Sequence, residues 1–299
     1  MSKMISDNFI SHIEQLFGFN LVCLPFNKSV SSNLLLRLSD GTVDFVAKLF
    51  RSSYSFNTEL TVLLKCQERL KVPEIVYFEE KKQSGWDWIL YRYIQGTSLY
   101  ELKEVLNPTL SQLLFHEIGR ELSRFHNVKL IYKLNKLEKK NIVKKIIFQT
   151  EIAYHAIPEN KNSDLFLRTI HFSRGIYPLL ENMENYSIAI KDFNDKHIII
   201  QTDFTPWSLN GIIDFEQTVY SNKFLDTVSL YIDYFFDDKD LETLFWKGYG
   251  ITITERDKRL IAFFILQYAL ELCGILREIH VNNVKLGKNI ISKVFEWLK

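Results

Sequence analysis

Hydrophobic residues change their spacing several times along this chain. From residue 21 to residue 50 they alternate: Leu-Leu-Leu-Arg-Leu at 34–38, a turn at Gly41, then Val-Asp-Phe-Val-Ala-Lys-Leu-Phe at 43–50. Period-2 alternation on both sides of a glycine turn predicts an antiparallel hairpin. Leu60, Leu63, Leu64 and Leu70 follow at helical spacing, with Asn57 or Thr58 as the expected N-cap. Strand character returns at 71–80 and again at 86–94, and Gly96 ends it.

Beyond Gly96 the spacing is helical. After Pro108, the residues Leu110, Leu113, Leu114, Ile118, Leu122 and Phe125 mark one face of a long amphipathic helix, and helical patterns continue to about residue 182. A strand interlude at about 187–214 interrupts them, and 224–299 reads as helix again, without a repeat period or a Ser/Gly linker. The expected architecture is α+β. A small antiparallel-sheet N-terminal lobe with one helix (1–95) precedes a larger helical C-terminal lobe (96–299) that holds an inserted hairpin.

Composition narrows the class. The 299 residues are 46% apolar and 14% aromatic with 11 glycines and 6 prolines, which excludes a disordered or low-complexity chain. Lys plus Arg (37) balances Asp plus Glu (36), so neither nucleic acid nor an anionic membrane is an expected partner. Cys23, Cys66 and Cys273 are too scattered for a disulfide framework or a zinc site. With no signal-peptide pattern at the start, a reducing cytoplasm is the expected location. The most apolar window, 260–276, contains Gln267 and Glu271 and is expected to be a buried core helix rather than a membrane span.

Candidate chemistry concentrates at 190–216. Asp192 precedes His197 by five positions; two short strands around Pro206 follow, and then comes Asp214. A hairpin brings its ends together, so Asp192, His197 and Asp214 are expected to converge. Two carboxylates and an imidazole suit a divalent cation and a hydroxyl nucleophile. A second frame beginning at Asp203 leaves only five residues between Ser208 and Asp214, too few for two strands and their turn. On the strand at 43–50, Lys48 shares a face with Val46 and Phe50.

The segments I-K-D-F-N-D-K-H and G-I-I-D-F-E resemble the catalytic segment of the aminoglycoside phosphotransferase and choline kinase superfamily, which has a two-lobed protein-kinase-like fold. The resemblance covers residues 20 to 230 in order. It implies that Asp192 accepts or orients a substrate hydroxyl proton, and that His197 and Asp214 hold magnesium against the phosphates of ATP or GTP. It further implies that Lys48 contacts the α/β-phosphates, that Glu59 orients Lys48 and that Val46 covers the adenine. Backbone groups of Arg92, Tyr93 and Ile94 would meet the purine, Tyr91 would limit pocket depth, and Asp226 would be structural. Such roles suit phosphoryl transfer, which is mostly positioning and charge neutralisation.

Three departures stand out. The phosphate loop at 25–33 reads P-F-N-K-S-V-S-S-N, so Ser31 and Ser32 take over where glycines are usual. Ile190 replaces a histidine. His197 replaces an asparagine, which implies weaker magnesium binding or a bias toward manganese; the same exchange is usual in aminoglycoside 2''-phosphotransferases and macrolide phosphotransferases. The resemblance therefore implies a small-molecule hydroxyl acceptor, with an aminoglycoside or amino sugar ranked before a macrolide and before choline or a sugar alcohol. A catalytically weak kinase-like binding protein is the competing class. The acidic run Asp233, Asp237, Asp238, Asp240 and Glu242 would suit a polycation, or would equally be a solvated helix end.

Overall fold

The computed structural model describes residues 2–18, 20–24, 33–81, 85–129, 134–158, 163–182, 186–203, 206–280 and 282–299, with side chains from residue 9 onward. It divides into two compact units that interleave along the chain: 1–105 with 196–218, and 106–195 with 219–299.

The first unit holds a five-stranded antiparallel sheet of β1 (Val22–Leu24), β2 (Leu34–Ser39), β3 (Asp44–Phe50), β4 (Ile75–Glu79) and β5 (Asp87–Arg92), in the order β1-β2-β3-β5-β4. The alternation seen in the sequence gives the sheet two different faces. One carries Leu36, Leu38, Phe45, Ala47, Leu49, Trp88 and Leu90, buried with Phe9 and Ile13 of helix α1 (Ser2–Phe17). Phe9 meets the Trp88 ring edge-on at 4.9 Å. The sequence patterns did not assign α1. The other face carries Val46, Lys48 and Phe50, and α2 (Ser53–Cys66) packs there through Phe56, whose ring lies 5.6 Å from that of Phe50.

Helix α2 starts earlier than expected, at Ser53 rather than after Asn57 or Thr58. The Phe56 amide already donates to the Ser52 carbonyl (3.1 Å), and Ser53 Oγ donates to the buried Asp87 carboxylate (2.5 Å), so a tertiary contact fixes the first turn. The helix also stops at Cys66, and Leu70 lies in the following turn with its amide on the Cys66 carbonyl (2.9 Å).

A second sheet, β6 (Thr97–Ser98), β8 (Ile198–Gln201) and β9 (Ser208–Ile212), completes this unit, with the single turn of α3 (Leu99–Leu102) after β6. Gly96 makes the pairing of β6 with β8 feasible. Its φ is +136°, and a Cβ there would lie 2.4 Å from the Ile200 carbonyl oxygen. The β8–β9 hairpin is fastened further by Ile212 N–H to the Lys71 carbonyl (2.8 Å), Lys71 Nζ to the Leu209 carbonyl (2.5 Å) and Asn210 Nδ2 to the Gln95 carbonyl (2.6 Å). These bonds explain why the hairpin belongs with the N-terminal sheet and why the compact units do not follow the expected cut at 95/96.

The second unit is mostly helical: α4 (Pro108–His126), α5 (Lys136–His155), α6 (Asp164–Glu181), the three-residue α7 (Val228–Leu230), α8 (Lys239–Tyr249), α9 (Glu255–Cys273) and α10 (Asn283–Trp297). A two-stranded ribbon joins β7 (Ser187–Ala189) to β10 (Val219–Ser221). Polar side chains set the helix starts. Asn107 caps α4 ahead of Pro108, and Asn135 with Glu138 and Thr254 with Asp257 form reciprocal capping boxes on α5 and α9. Helix α9 is the centre of this unit, buried continuously from Leu260 to Gln267. Among the described residues, no helix is long and apolar enough to cross a membrane.

Candidate active site

Lys48 sits on the α2-facing side of β3, 4% exposed. Its ammonium has three N–H donors, and three carboxylates surround it: Glu59 Oε2 at 2.7 Å, Asp214 Oδ1 at 2.7 Å and Glu216 Oε2 at 3.0 Å. The second oxygen of Glu59 accepts the Tyr91 hydroxyl proton (2.9 Å). Tyr91, expected to limit a pocket, thus serves here to hold Glu59 in place. Burial alone would lower the Lys48 pKa, but the charges of Glu59, Asp214 and Glu216 more than reverse it, and the net direction is upward. Burial pushes the Glu59 carboxyl up against the opposing pull of Lys48. For Asp214, burial acts upward, yet Lys48 with lesser help from His197 carries the net direction down. Lys48 and Asp214 therefore stay charged, as a pair that fixes the loop after β9 to strand β3.

Asp214 itself is a non-glycine residue in the left-handed region, at φ 69°. Such backbone strain persists where surrounding contacts over-determine it, and Lys48 is one of those contacts. His197 ends a 3₁₀ turn leading into β8, and its carbonyl accepts the Ile213 N–H (2.9 Å). Its Nε2 lies 3.6 Å from Asp214 Oδ2, the oxygen that Lys48 does not take. Carboxylate oxygens of Glu59, Asp214 and Glu216 all lie within 4.8 Å of one another.

Two members of this cluster carried no assigned role in the sequence reading. Glu216 stands inside the G-I-I-D-F-E segment, and its position two residues after Asp214 was the available signal. Asn33 had none. Its Nδ2 donates to Glu216 Oε2 while its Oδ1 accepts the Arg51 N–H (3.1 Å).

At the expected purine edge, the amides of Arg92 and Tyr93 already donate to the carbonyls of Glu74 and Asp44 (2.9 Å each), which leaves Ile94 as the remaining N–H of the three. The Ile94 side chain fills the space over Gly211, where a Cβ would sit 2.6 Å from Ile94 Cδ1. Val46 is half-buried opposite Tyr91. Ser31 and Ser32 lie outside the described residues.

Asp192 belongs to the second unit. Asn194 Nδ2 donates to its Oδ1 (2.9 Å). The turn before it is held by Asp226, whose two oxygens accept the N–H groups of Ile190 and Lys191 (2.7 Å each). His126 Nε2 lies 2.9 Å from the same carboxylate and Nδ1 lies 2.7 Å from the Tyr249 hydroxyl. With Nε2–H donating to Asp226, Nδ1 accepts the tyrosine proton, and the chain of bonds is complete. This clasp supports Lys191 in the left-handed region at φ 70°. Ile190 is fully buried, so apolar packing occupies the place of the usual histidine.

Asp192, Asp233 and Glu271 act together on Tyr268 in this unit. Burial first, and then the charges of Asp233, Asp192 and Glu271, push the Tyr268 phenol up. Burial also raises the Glu271 carboxyl, against the pull of Lys191. Asp233 is presented by a π-helical turn, Tyr231–Phe235, a local widening frequent at functional sites. Three others of the acidic run have structural partners: Asp237 meets Lys293 (2.8 Å), Asp238 caps α8 and Glu242 accepts from the Tyr231 hydroxyl (2.6 Å). The structure thus brings Lys48, Glu59, His197 and Asp214 together in the first unit, adds Asn33, Tyr91 and Glu216 to them, and places Asp192 with Asp233 and Glu271 in the second.

No family model and no curated protein matches the sequence. Solved structures do match. A GDP and kanamycin complex of APH(2'')-IIIa superposes with a TM-score of 0.71 at 15% identity, over 96% of this chain and 98% of that one. A thermostable mutant of the aminoglycoside phosphotransferase APH(4)-Ia, in a ternary complex with ADP and hygromycin B, gives 0.67 at 11% identity over 96% and 97%. A putative aminoglycoside phosphotransferase from Ralstonia eutropha gives 0.69 at 12% identity over 98% of each chain. The chain has the kinase-like α+β fold of the aminoglycoside phosphotransferases.

Proposed function

We propose that the protein transfers the γ-phosphoryl group of ATP or GTP to a hydroxyl of a cationic small molecule, with an aminoglycoside or amino sugar as the acceptor class. The observation that carries this reading is the buried Lys48, paired at once with Glu59 of α2 and with Asp214 of the loop after β9. In phosphoryl transfer the protein's work is placement and charge compensation, and a fixed ammonium beside a fixed carboxylate supplies both. Lys48 binds the nucleotide phosphates, Glu59 with Tyr91 sets its direction, and Ile94 offers its backbone to the purine.

The donor set fits a divalent cation: Asp214 Oδ2 and His197 Nε2 are 3.6 Å apart, with the Glu216 carboxylate beside Asp214. Magnesium suits the oxygens and manganese suits the imidazole, and either would neutralise phosphate charge when bound. Asp192 takes the acceptor's hydroxyl proton. The carboxylates of Asp233 and Glu271 favour an acceptor bearing ammonium groups, and kanamycin and hygromycin B in the similar structures are consistent with that class.

The test is a labelling assay. Purified protein with magnesium or manganese, γ-labelled ATP or GTP and a panel of aminoglycosides, macrolides and choline is compared with Asp192→Asn. The expected result is label on at least one aminoglycoside, reduced in the variant by about 10²-fold or more, the usual range for losing a general base. No nucleotide binding by calorimetry with either metal, together with no labelled acceptor, refutes the kinase reading.

A further inference from the structure

We propose that Glu216, pinned by Asn33, occupies the place of a nucleotide phosphate on Lys48, and that nucleotide loading requires its displacement. The proposal rests on the nucleotide reading above and adds to it an internal competitor for the same ammonium.

Lys48 Nζ donates to Glu59 and Asp214 (2.7 Å each), and Glu216 stands against the same ammonium as an ion pair at 3.0 Å, the farthest of the three. A phosphate oxygen has the acceptor chemistry of a carboxylate oxygen, so it must take one of these positions. Glu59 is 2% exposed and holds Tyr91 as well, and Asp214 is bound at the shorter distance; Glu216 is the one to yield. Asn33 helps to retain it by donating to the same Oε2 that meets Lys48. Asn33 is itself oriented, because its Oδ1 accepts the Arg51 N–H, and it is 8% exposed. Its amide therefore points its NH₂ group at Glu216 by construction. Asn33 is a positioning residue that acts through Glu216.

Charge gives the latch a consequence. One ammonium and three carboxylates leave the cluster two negative charges in excess when all four are ionised, so a metal-free polyphosphate meets repulsion as well as a competitor. A divalent cation offers Glu216 a stronger partner than Asn33 does. Nucleotide affinity should accordingly depend on the cation more steeply than a Lys48–Glu59–Asp214 site alone would require.

The experiment measures ATP and GTP binding by calorimetry in EDTA and in magnesium, for wild type, Asn33→Ala, Glu216→Gln and the double variant, each checked for folding by its melting curve. Asn33→Ala changes no charge, so its effect reports the latch itself. The expected result is metal-free affinity tightened about tenfold in each single variant, as for release of one charge-assisted hydrogen bond. The ratio of affinities with and without magnesium should shrink to match. The double variant should equal Glu216→Gln within about twofold, because both changes act on one interaction. Metal-free binding that is unchanged or weaker in Asn33→Ala, while wild type binds magnesium–nucleotide, overturns the latch and leaves the kinase reading standing. If Asn33→Ala does not fold, an unaltered magnesium ratio in Glu216→Gln overturns it equally. Absence of nucleotide binding by wild type in magnesium overturns both.

Discussion

Replacing Asp226 with alanine should remove the support of the Asp192 turn at a calculable cost. Asp226 is 1% exposed and accepts three protons: from the amides of Ile190 and Lys191 and from the His126 ring. Without it, the Ile190 N–H and the His126 N–H are left in the interior, because Ile190 is wholly buried and His126 is 8% exposed. Each orphaned buried donor costs about 1 to 3 kcal/mol, which makes ~4 kcal/mol for the two. The Lys191 amide is at the surface, where water substitutes, and adds little. For a domain of this size such a loss lowers Tm by roughly 10 °C. Urea unfolding at neutral pH measures it, with an unchanged m-value as the check that the native state stays compact. Asp226→Asn keeps one acceptor and opposes an N–H with another, so an intermediate loss is expected. It should also depress kcat more than the KM for nucleotide, since the turn carries Asp192 and the Lys48 cluster lies in the other unit. A loss under about 1 kcal/mol in the alanine variant refutes the reasoning, because the donors would then have other partners.

Three further outcomes follow from the geometry. Lys48→Met leaves three carboxylates without their cation and should cost about 3 to 5 kcal/mol in urea unfolding, part of which Glu59→Gln restores in the double variant. Gly96→Ala combines a φ of +136° with a contact to a backbone carbonyl that cannot move aside, so a loss on the order of 3 kcal/mol is expected, read as a drop in Tm. Glu151 is held below the ordinary 4.5 first by hydrogen bonds from Arg174 (3.0 and 2.8 Å) and then by the Tyr177 hydroxyl. A depressed carboxyl contributes stability above its unfolded pKa and loses it as pH falls. Relative to Glu151→Gln, wild type should lose under ~1 kcal/mol between neutral pH and pH 3, the pair being partly solvent-screened.

The parts of the molecule legible in the sequence are those whose signal is local. Lys48 lies on an alternating strand, and Asp214 and His197 lie in one short segment; pattern and motif reach all three. The start of α4 announces itself through Pro108. What stayed hidden depends on partners far away in sequence. Asn33 and Glu216 are 183 positions apart, and neither has meaning without the other. The first turn of α2 follows from Ser53 meeting Asp87, not from the leucine spacing that begins later. The apolar positions of helix α1 have no evident destination in the sequence, because Phe9 and Ile13 pack on a sheet face that includes Trp88, far along the chain. The return of β8 to the first unit is hidden for the same reason: β6 and β8 pair across about a hundred residues, and a change of hydrophobic spacing at Gly96 does not record that.

The interleaving of the two units governs how the protein can be made. The chain passes from one unit to the other at 105/106, again at 195/196 and again at 218/219. During synthesis the N-terminal sheet emerges first, but the segment 196–218, which holds β8, β9, Asp214 and Glu216, is complete only after 113 further residues, those numbered 106 to 218. At 5 to 20 residues per second that is a delay of roughly 6 to 20 s. Through that interval Lys48 has only Glu59 to answer its charge, and β6 lacks its partner strand. A fragment ending at residue 105 would carry the same deficit permanently, so the cluster that distinguishes this protein forms only when a segment embedded in the other unit's stretch of chain returns to the first.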